Sequence, residues 1–334
     1  MTHRRPRAMN MISASAPTST SAPNVTAAPA VTAVRGASPA PVASLRGARK
    51  AYGPITALHA IDLEVRAGEV LAVLGANGAG KSTALGLLTG RLAPDAGEAR
   101  VFGLDPREDA VRRRIGVMQQ EARLPETLRV AELVALWSGY YPDPRPVGET
   151  LALAGMAELA KRPCQALSGG QQRRVQFALA ICGRAPLLFV DEPTTGLDVD
   201  ARRAFWDVLL GLRETGTSLV LTTHYLEEAD ALADRIVLIG GGRVLAEDTP
   251  AGLKARTTGS RVAARTALSA AELAGWPEVD AVEPSGGRLW MRSRVPDDLV
   301  RRLLAADPGC TGLEVRALSL EEAFVALTRA ETAS

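Results

Sequence analysis

Four short apolar runs recur along the chain: Val70–Leu74, Leu187–Val190, Ser218–Thr222 and Ile236–Ile239. They alternate with stretches of helical spacing at Lys81–Thr89, Gly170–Cys182, Ala201–Arg213 and Tyr225–Ala233. Runs without polar alternation read as strands covered on both faces. Their alternation with helices predicts an α/β fold around a mostly parallel central sheet. Two more helical stretches, Val130–Trp137 and Glu149–Ala160, fill the interval before the second strand. No apolar run approaches the 18 residues of a spanning helix, so the chain is not expected to cross a membrane by itself. After Pro250 the texture changes to Ala- and Arg-rich sequence, with a strand-like Arg288–Met291 and a helix-like Pro296–Leu304. We divide the chain into an Ala/Pro/Ser/Thr-rich tail (1–41), a main domain (42–272) and a small C-terminal accessory α/β region (273–334). The tail has no carboxylate and little apolar area to offset the entropy of ordering it, so we expect it to be disordered.

Composition narrows the picture. A chain of 334 residues, 46% hydrophobic and 23% charged, has room for a large core and a second unit. Its formal charge of +2 arises in the tail, which holds four of the 39 basic residues and no acid. The remainder carries 35 basic against 37 acidic residues, and aromatics are 4%. That balance argues against a nucleic-acid partner. Three scattered cysteines, Cys164, Cys182 and Cys310, suit neither a disulfide framework nor a four-ligand zinc site, and they fit a reducing compartment. With only four lysines and three histidines in the chain, a lysine or histidine inside a motif carries weight.

The first such motif is Gly75-Ala76-Asn77-Gly78-Ala79-Gly80-Lys81-Ser82-Thr83, a G-x-x-x-x-G-K-[ST] loop between a strand and a helix. Its glycines let backbone N–H groups surround a phosphate chain at the positive end of the following helix. Lys81 can reach the β/γ-phosphates, and Ser82 can offer its hydroxyl to Mg²⁺. The second motif, Leu187-Leu188-Phe189-Val190-Asp191-Glu192, ends a buried strand in two carboxylates. Alone this is an ordinary strand end. Beside a phosphate loop, Asp191 suits the magnesium shell and Glu192 suits polarising an attacking water. The third, Leu167-Ser168-Gly169-Gly170-Gln171, reads as a capping box with Ser168 at the N-cap and Gln171 at N3. Its exposed glycines also leave N–H donors free for an anion.

Taken together, the stretch from about Val42 to Pro250 resembles an ATP-binding-cassette (ABC) transporter ATPase, with the motifs in that family's order. The resemblance implies a P-loop NTPase cassette with an antiparallel β subdomain and a helical subdomain. It implies that Tyr52 stacks on adenine, that Gln120 joins the magnesium shell to the transport partner, and that Gln119 is an alternative one residue away. Asp198, in Gly196-Leu197-Asp198, matches the loop that contacts the opposite subunit, and His224 matches the γ-phosphate switch. ATP and Mg²⁺ are the implied ligands. The implied partners are a second cassette, as a homodimer in which Ser168, Gly169 and Gly170 of one chain meet the nucleotide held by Lys81 of the other, and a separate transmembrane permease. The expected location is cytoplasmic, peripheral on the inner face of the membrane through that permease. The Thr222–Asp230 stretch, the appendage and its ending Ser319–Phe324 resemble drug- and antibiotic-efflux cassettes. A soluble ATPase acting on ribosomes or DNA is the competing class. Against it, each motif occurs once, and no sustained heptads lie between Lys81 and Ser168.

Overall fold

The computed structural model describes residues 40–120, 123–256 and 259–317. The tail expected over 1–41 lies almost wholly outside the described residues, and Ser319–Phe324 lies outside them altogether.

The chain opens with an antiparallel pair, β1 (Ala43–Tyr52) and β2 (Ile55–Val65). Then come β3 (Val70–Leu74), the helix α1 (Lys81–Leu88), β4 (Ala96–Val101), the short α2 (Asp109–Arg112) and β5 (Ile115–Met118). A helical segment follows, with α3 (Val130–Ser138), α4 (Val147–Leu153) and α5 (Gly169–Ile181). The chain next runs through β6 (Leu187–Asp191), α6 (Val199–Glu214), β7 (Ser218–Thr223), α7 (Leu226–Leu232), β8 (Arg235–Gly240), β9 (Arg243–Asp248) and α8 (Pro250–Arg256). The central sheet has the order β5-β6-β7-β3-β8-β9, parallel except for β9. A separate antiparallel sheet, β2-β1-β4, forms the β subdomain.

The apolar runs are continuous because the central strands bury both faces. Val70, Ala72 and Leu74 of β3 join Leu188 and Val190 of β6 in a core shared with α3, α5 and α6. Leu71 and Val73, with Leu187 and Phe189, pack on the other side with α1 and the antiparallel sheet. A strand with one wet face would alternate; these do not.

The helix expected over Glu149–Ala160 is shorter. It stops at Leu153, Gly155 takes a φ of +66°, and a single 3₁₀ turn, Ala157–Leu159, follows. That left-handed residue ends helices readily when it is glycine.

The C-terminal unit is built from β10 (Ser260–Arg265), α9 (Ala270–Ala274), β11 (Ala281–Ser285), β12 (Arg288–Ser293), α10 (Pro296–Ala306) and β13 (Thr311–Ala317). Its sheet runs β11-β12-β10-β13, so β10 pairs with both β12 and β13. The sheet therefore starts at Ser260, and a boundary after residue 272 would cut α9 and strip the sheet of an inner strand. Val262, Ala264, Leu273, Met291, Leu299 and Leu303 form its own core.

Candidate nucleotide-binding site

The phosphate loop leaves β3 and enters α1 in the order its sequence requires. Gly75 has no room for a side chain, because a Cβ there would lie 2.3 Å from the Ile239 carbonyl oxygen. Gly80 has a φ of +108°, and its Cβ would lie 2.7 Å from the Ala57 oxygen of β2. These two approaches set the loop against β8 on one side and β2 on the other. Lys81, at the start of α1, is buried, and its Nζ donates to the carbonyl oxygens of Gly75 (2.8 Å) and Ala76 (3.1 Å). Burial lowers the Lys81 ammonium from its ordinary range, and the fields of Glu192 and Asp191 oppose that shift.

Asp191 closes β6, where its partner across the ladder is Thr222 of β7. The Thr222 hydroxyl donates to Asp191 Oδ1, and Ser82 Oγ donates to the same oxygen at 3.5 Å. Glu192 follows with a φ of +47°, a conformation that costs a residue with a side chain about 1–3 kcal/mol and that collects at functional sites. Its N–H donates to the Thr222 carbonyl (3.0 Å), and its buried carboxylate accepts from Gln120 Nε2 (3.0 Å). His224 Nδ1 stands 3.4 Å from the same carboxylate oxygen.

The structure thus brings Lys81, Ser82, Gln120, Asp191, Glu192 and His224 to the carboxyl ends of β3, β5, β6 and β7, where open parallel sheets bind ligands. Of the two adjacent glutamines, Gln120 faces Glu192, while the Gln119 side chain accepts from Arg91 (3.1 Å). Asn77 and Gly78 are exposed at the loop tip beside the exposed Ala76, and Thr83 is half-buried behind Ser82 in α1. Tyr52 is half-exposed at the tip of the β1–β2 hairpin.

Ser168, Gly169, Gly170 and Gln171 stand outside that group. Ser168 Oγ accepts from the Gln171 N–H (3.4 Å) and Gln171 Oε1 accepts from the Ser168 N–H (3.0 Å), so the capping box forms. A Cβ added at Gly169 would meet open space. Asp198 likewise caps its own helix, accepting from the Ala201 N–H at 2.7 Å.

The motifs give no site role to two residues in this arrangement. Thr222 stands at the end of an apolar strand and opens the stretch that holds His224, and a hydroxyl amid buried aliphatic residues is itself a signal. Arg173, one turn into α5, donates from Nη1 to the Gln120 carbonyl (2.5 Å) and the Gln119 carbonyl (3.1 Å), and from Nη2 to the Glu192 carbonyl (2.7 Å). No spacing rule links it to those partners, because they lie on other elements.

Known proteins carry the same frame. The ABC transporter family profile matches residues 58–195. The chain is 39% identical over 305 residues to the daunorubicin/doxorubicin resistance ATP-binding protein DrrA of Streptomyces peucetius, covering 84% of this chain and 91% of that one. It is 34% identical to the Nod factor export ATP-binding protein I of Ralstonia nicotianae, covering 89% and 96%. Among solved structures, the ATP-binding cassette MJ0796 in a dimeric post-hydrolysis state with ADP and Pi matches at 28% identity with a TM-score of 0.58, over 62% of this chain and 98% of that one. An ATP-binding subunit of an ABC transporter matches at 25% identity with a TM-score of 0.61, over 64% and 92%. With similarity running through nearly the whole length of such relatives, and with a phosphate loop and paired carboxylates assembled on one sheet edge, the chain belongs to the ABC transporter family as an ATP-binding, ATP-hydrolysing subunit.

Proposed function

We propose that the chain powers export of a small molecule through a separate membrane permease, working as a head-to-tail dimer with ATP between the subunits. The observation that carries the reading is the group beside the phosphate loop in which Gln120 donates to Glu192 and His224 Nδ1 lies 3.4 Å from the same carboxylate oxygen. Tyr52 stacks on the adenine. The loop N–H groups from Gly75 to Thr83 and the Lys81 ammonium hold the phosphates. Lys81 gains a phosphate partner in place of its two carbonyls, which favours its charged form. Glu192 accepts a proton from the attacking water, a contribution of about 10²–10⁴-fold. Gln120 and His224 hold that carboxylate in place, and His224 reaches the γ-phosphate.

The donors near Asp191 suit Mg²⁺. They are one carboxylate, the Ser82 hydroxyl and the Gln120 amide, and among the described residues no group of three or more His, Cys, Asp and Glu is arranged to hold a metal ion by itself. Mg²⁺ favours such a sparse oxygen set, completed by phosphates and waters. When bound it neutralises charge on the phosphates.

Ser168, Gly169 and Gly170 stand on the surface, and their helix end offers N–H donors to an anion. In a dimer they complete the nucleotide site of the second copy, with Asp198 at the same junction. Contacts to the γ-phosphate then close the dimer and their loss reopens it. No helix among the described residues is long and apolar enough to cross a membrane, so a permease supplies the path and holds the subunit at the inner face. The exporter relatives support the direction of transport.

Glu192→Gln tests the reading. The variant keeps ATP affinity by calorimetry, loses hydrolysis by at least about 10²-fold, and runs as a dimer with ATP on a sizing column. Near-normal turnover in this variant refutes the role of Glu192.

A further inference from the structure

Glu192 sits where the β6 ladder has ended, in a left-handed conformation that its own side chain does not favour. Something must hold its peptide there. The Glu192 N–H is held by Thr222 across the sheet, and its carbonyl oxygen is held by Arg173 Nη2 at 2.7 Å. The other terminal nitrogen, Nη1, takes the Gln120 carbonyl at 2.5 Å, the Gln119 carbonyl at 3.1 Å and Gln176 Oε1 of its own helix at 3.3 Å. One planar guanidinium thus joins three elements: α5, the loop after β5 and the residue after β6. The planar fork of arginine fits several fixed acceptors at once, which the single ammonium of lysine cannot match.

We infer that Arg173 is a positioning residue for hydrolysis, tying the helix that begins at Ser168-Gly169-Gly170 to the backbone of Glu192 and Gln120. The inference rests on the reading of Glu192 as the carboxylate that activates water. Among the described residues, the hydrogen-bond acceptors of Arg173 are backbone carbonyls and the Gln176 side-chain amide. Its effect passes through the peptide of Glu192, whose φ sets where the carboxylate points. A movement of α5, whose start we place against the second copy's nucleotide, then reaches Glu192 and Gln120 together through one side chain. Burial draws the guanidinium down from its ordinary range, with Asp191 and Glu192 opposing, as expected for a cation held inside the site.

The test uses the purified full-length chain with Arg173→Ala, Arg173→Lys and Glu192→Gln in parallel. Arg173→Ala should lower kcat for ATP by up to roughly 10²-fold, the scale of a displaced catalytic group, with Kd for ATP within about twofold and an unchanged urea midpoint. Arg173→Lys should recover part of kcat, because it keeps the charge without the fork. In a Gln120→Ala background the loss from Arg173→Ala should shrink, since both act through Glu192. A normal kcat in Arg173→Ala, with Glu192→Gln inactive, overturns this inference alone. A parallel fall of kcat, ATP affinity and urea midpoint overturns it in favour of a structural role. Turnover that survives Glu192→Gln refutes the reading of Glu192 and this inference with it.

Discussion

Asp191 and Glu192 are adjacent carboxylates that would point to opposite faces if both obeyed the alternation of a strand. They share one site because the strand ends between them. Asp191 keeps its place in the ladder opposite Thr222, and the φ of +47° at Glu192 turns the next carboxylate toward Gln120 and His224. The pair and the role expected of each carboxylate were legible in the chain as chemistry; the turn at Glu192 that separates them was not, because a backbone dihedral is set by partners far away in sequence. Lys81 has a comparable history. Its motif announced the residue, while its burial and its bonds to Gly75 and Ala76 come from the loop's closure. Replacing Lys81 with Ala removes a charge-assisted partner of the phosphates, worth about 1.5–3 kcal/mol. Titration calorimetry should therefore show ATP affinity reduced by roughly 10- to 100-fold, and unchanged binding would remove Lys81 from the phosphate site.

At the level of elements, α7 carries a further buried carboxylate to which the motifs give no chemical role. Glu228 is fully buried, accepts from Trp206 Nε1 of α6 at 3.0 Å, and is pushed above the usual carboxylate range by burial, with the polar side chains of Thr223, Trp206 and Thr194 and the charge of Arg202 opposing. A carboxyl whose pKa is raised by folding favours the fold most when protonated. Its stabilisation is present below the unfolded value and is lost as pH rises through the folded one. Glu228→Gln keeps an acceptor for Trp206 without the charge, so its urea midpoint should exceed that of the natural chain at pH 7 to 8. The difference should vanish near pH 4, around the ordinary glutamate value. An equal shift at both pH values would mean that the carboxylate is not costing stability. Helix α5 shows the reverse case: its N-cap was readable from Ser168 and Gln171, because capping is local, whereas Arg173 on the next turn makes its bonds to other elements.

Across the described molecule, three cores are distinct. Two lie on opposite faces of the six-stranded sheet and the third belongs to the C-terminal sheet. Leu299 of α10 is fully buried in the third. Leu299→Ala should cost about 2–5 kcal/mol of that unit's stability and leave ATP affinity unchanged. Calorimetry with and without ATP would read both effects, and a loss of ATP binding would mean that the third core supports the nucleotide site. The sequence by itself determined the α/β class, four strands of the central sheet (β3, β6, β7 and β8), the phosphate loop and the acidic strand end, because each is written in local spacing and burial periodicity. The boundary drawn after residue 272 leaves β10 on the side of the main domain, while its pairing with β12 and β13, which composition does not reveal, joins it to the C-terminal sheet. Tertiary structure alone decided that Gln120 rather than Gln119 meets Glu192, that Thr222 holds the Asp191 carboxylate and the Glu192 peptide, and that Arg173 spans three elements. Those contacts join residues 19 to 72 positions apart, where only the closed fold sets the distance.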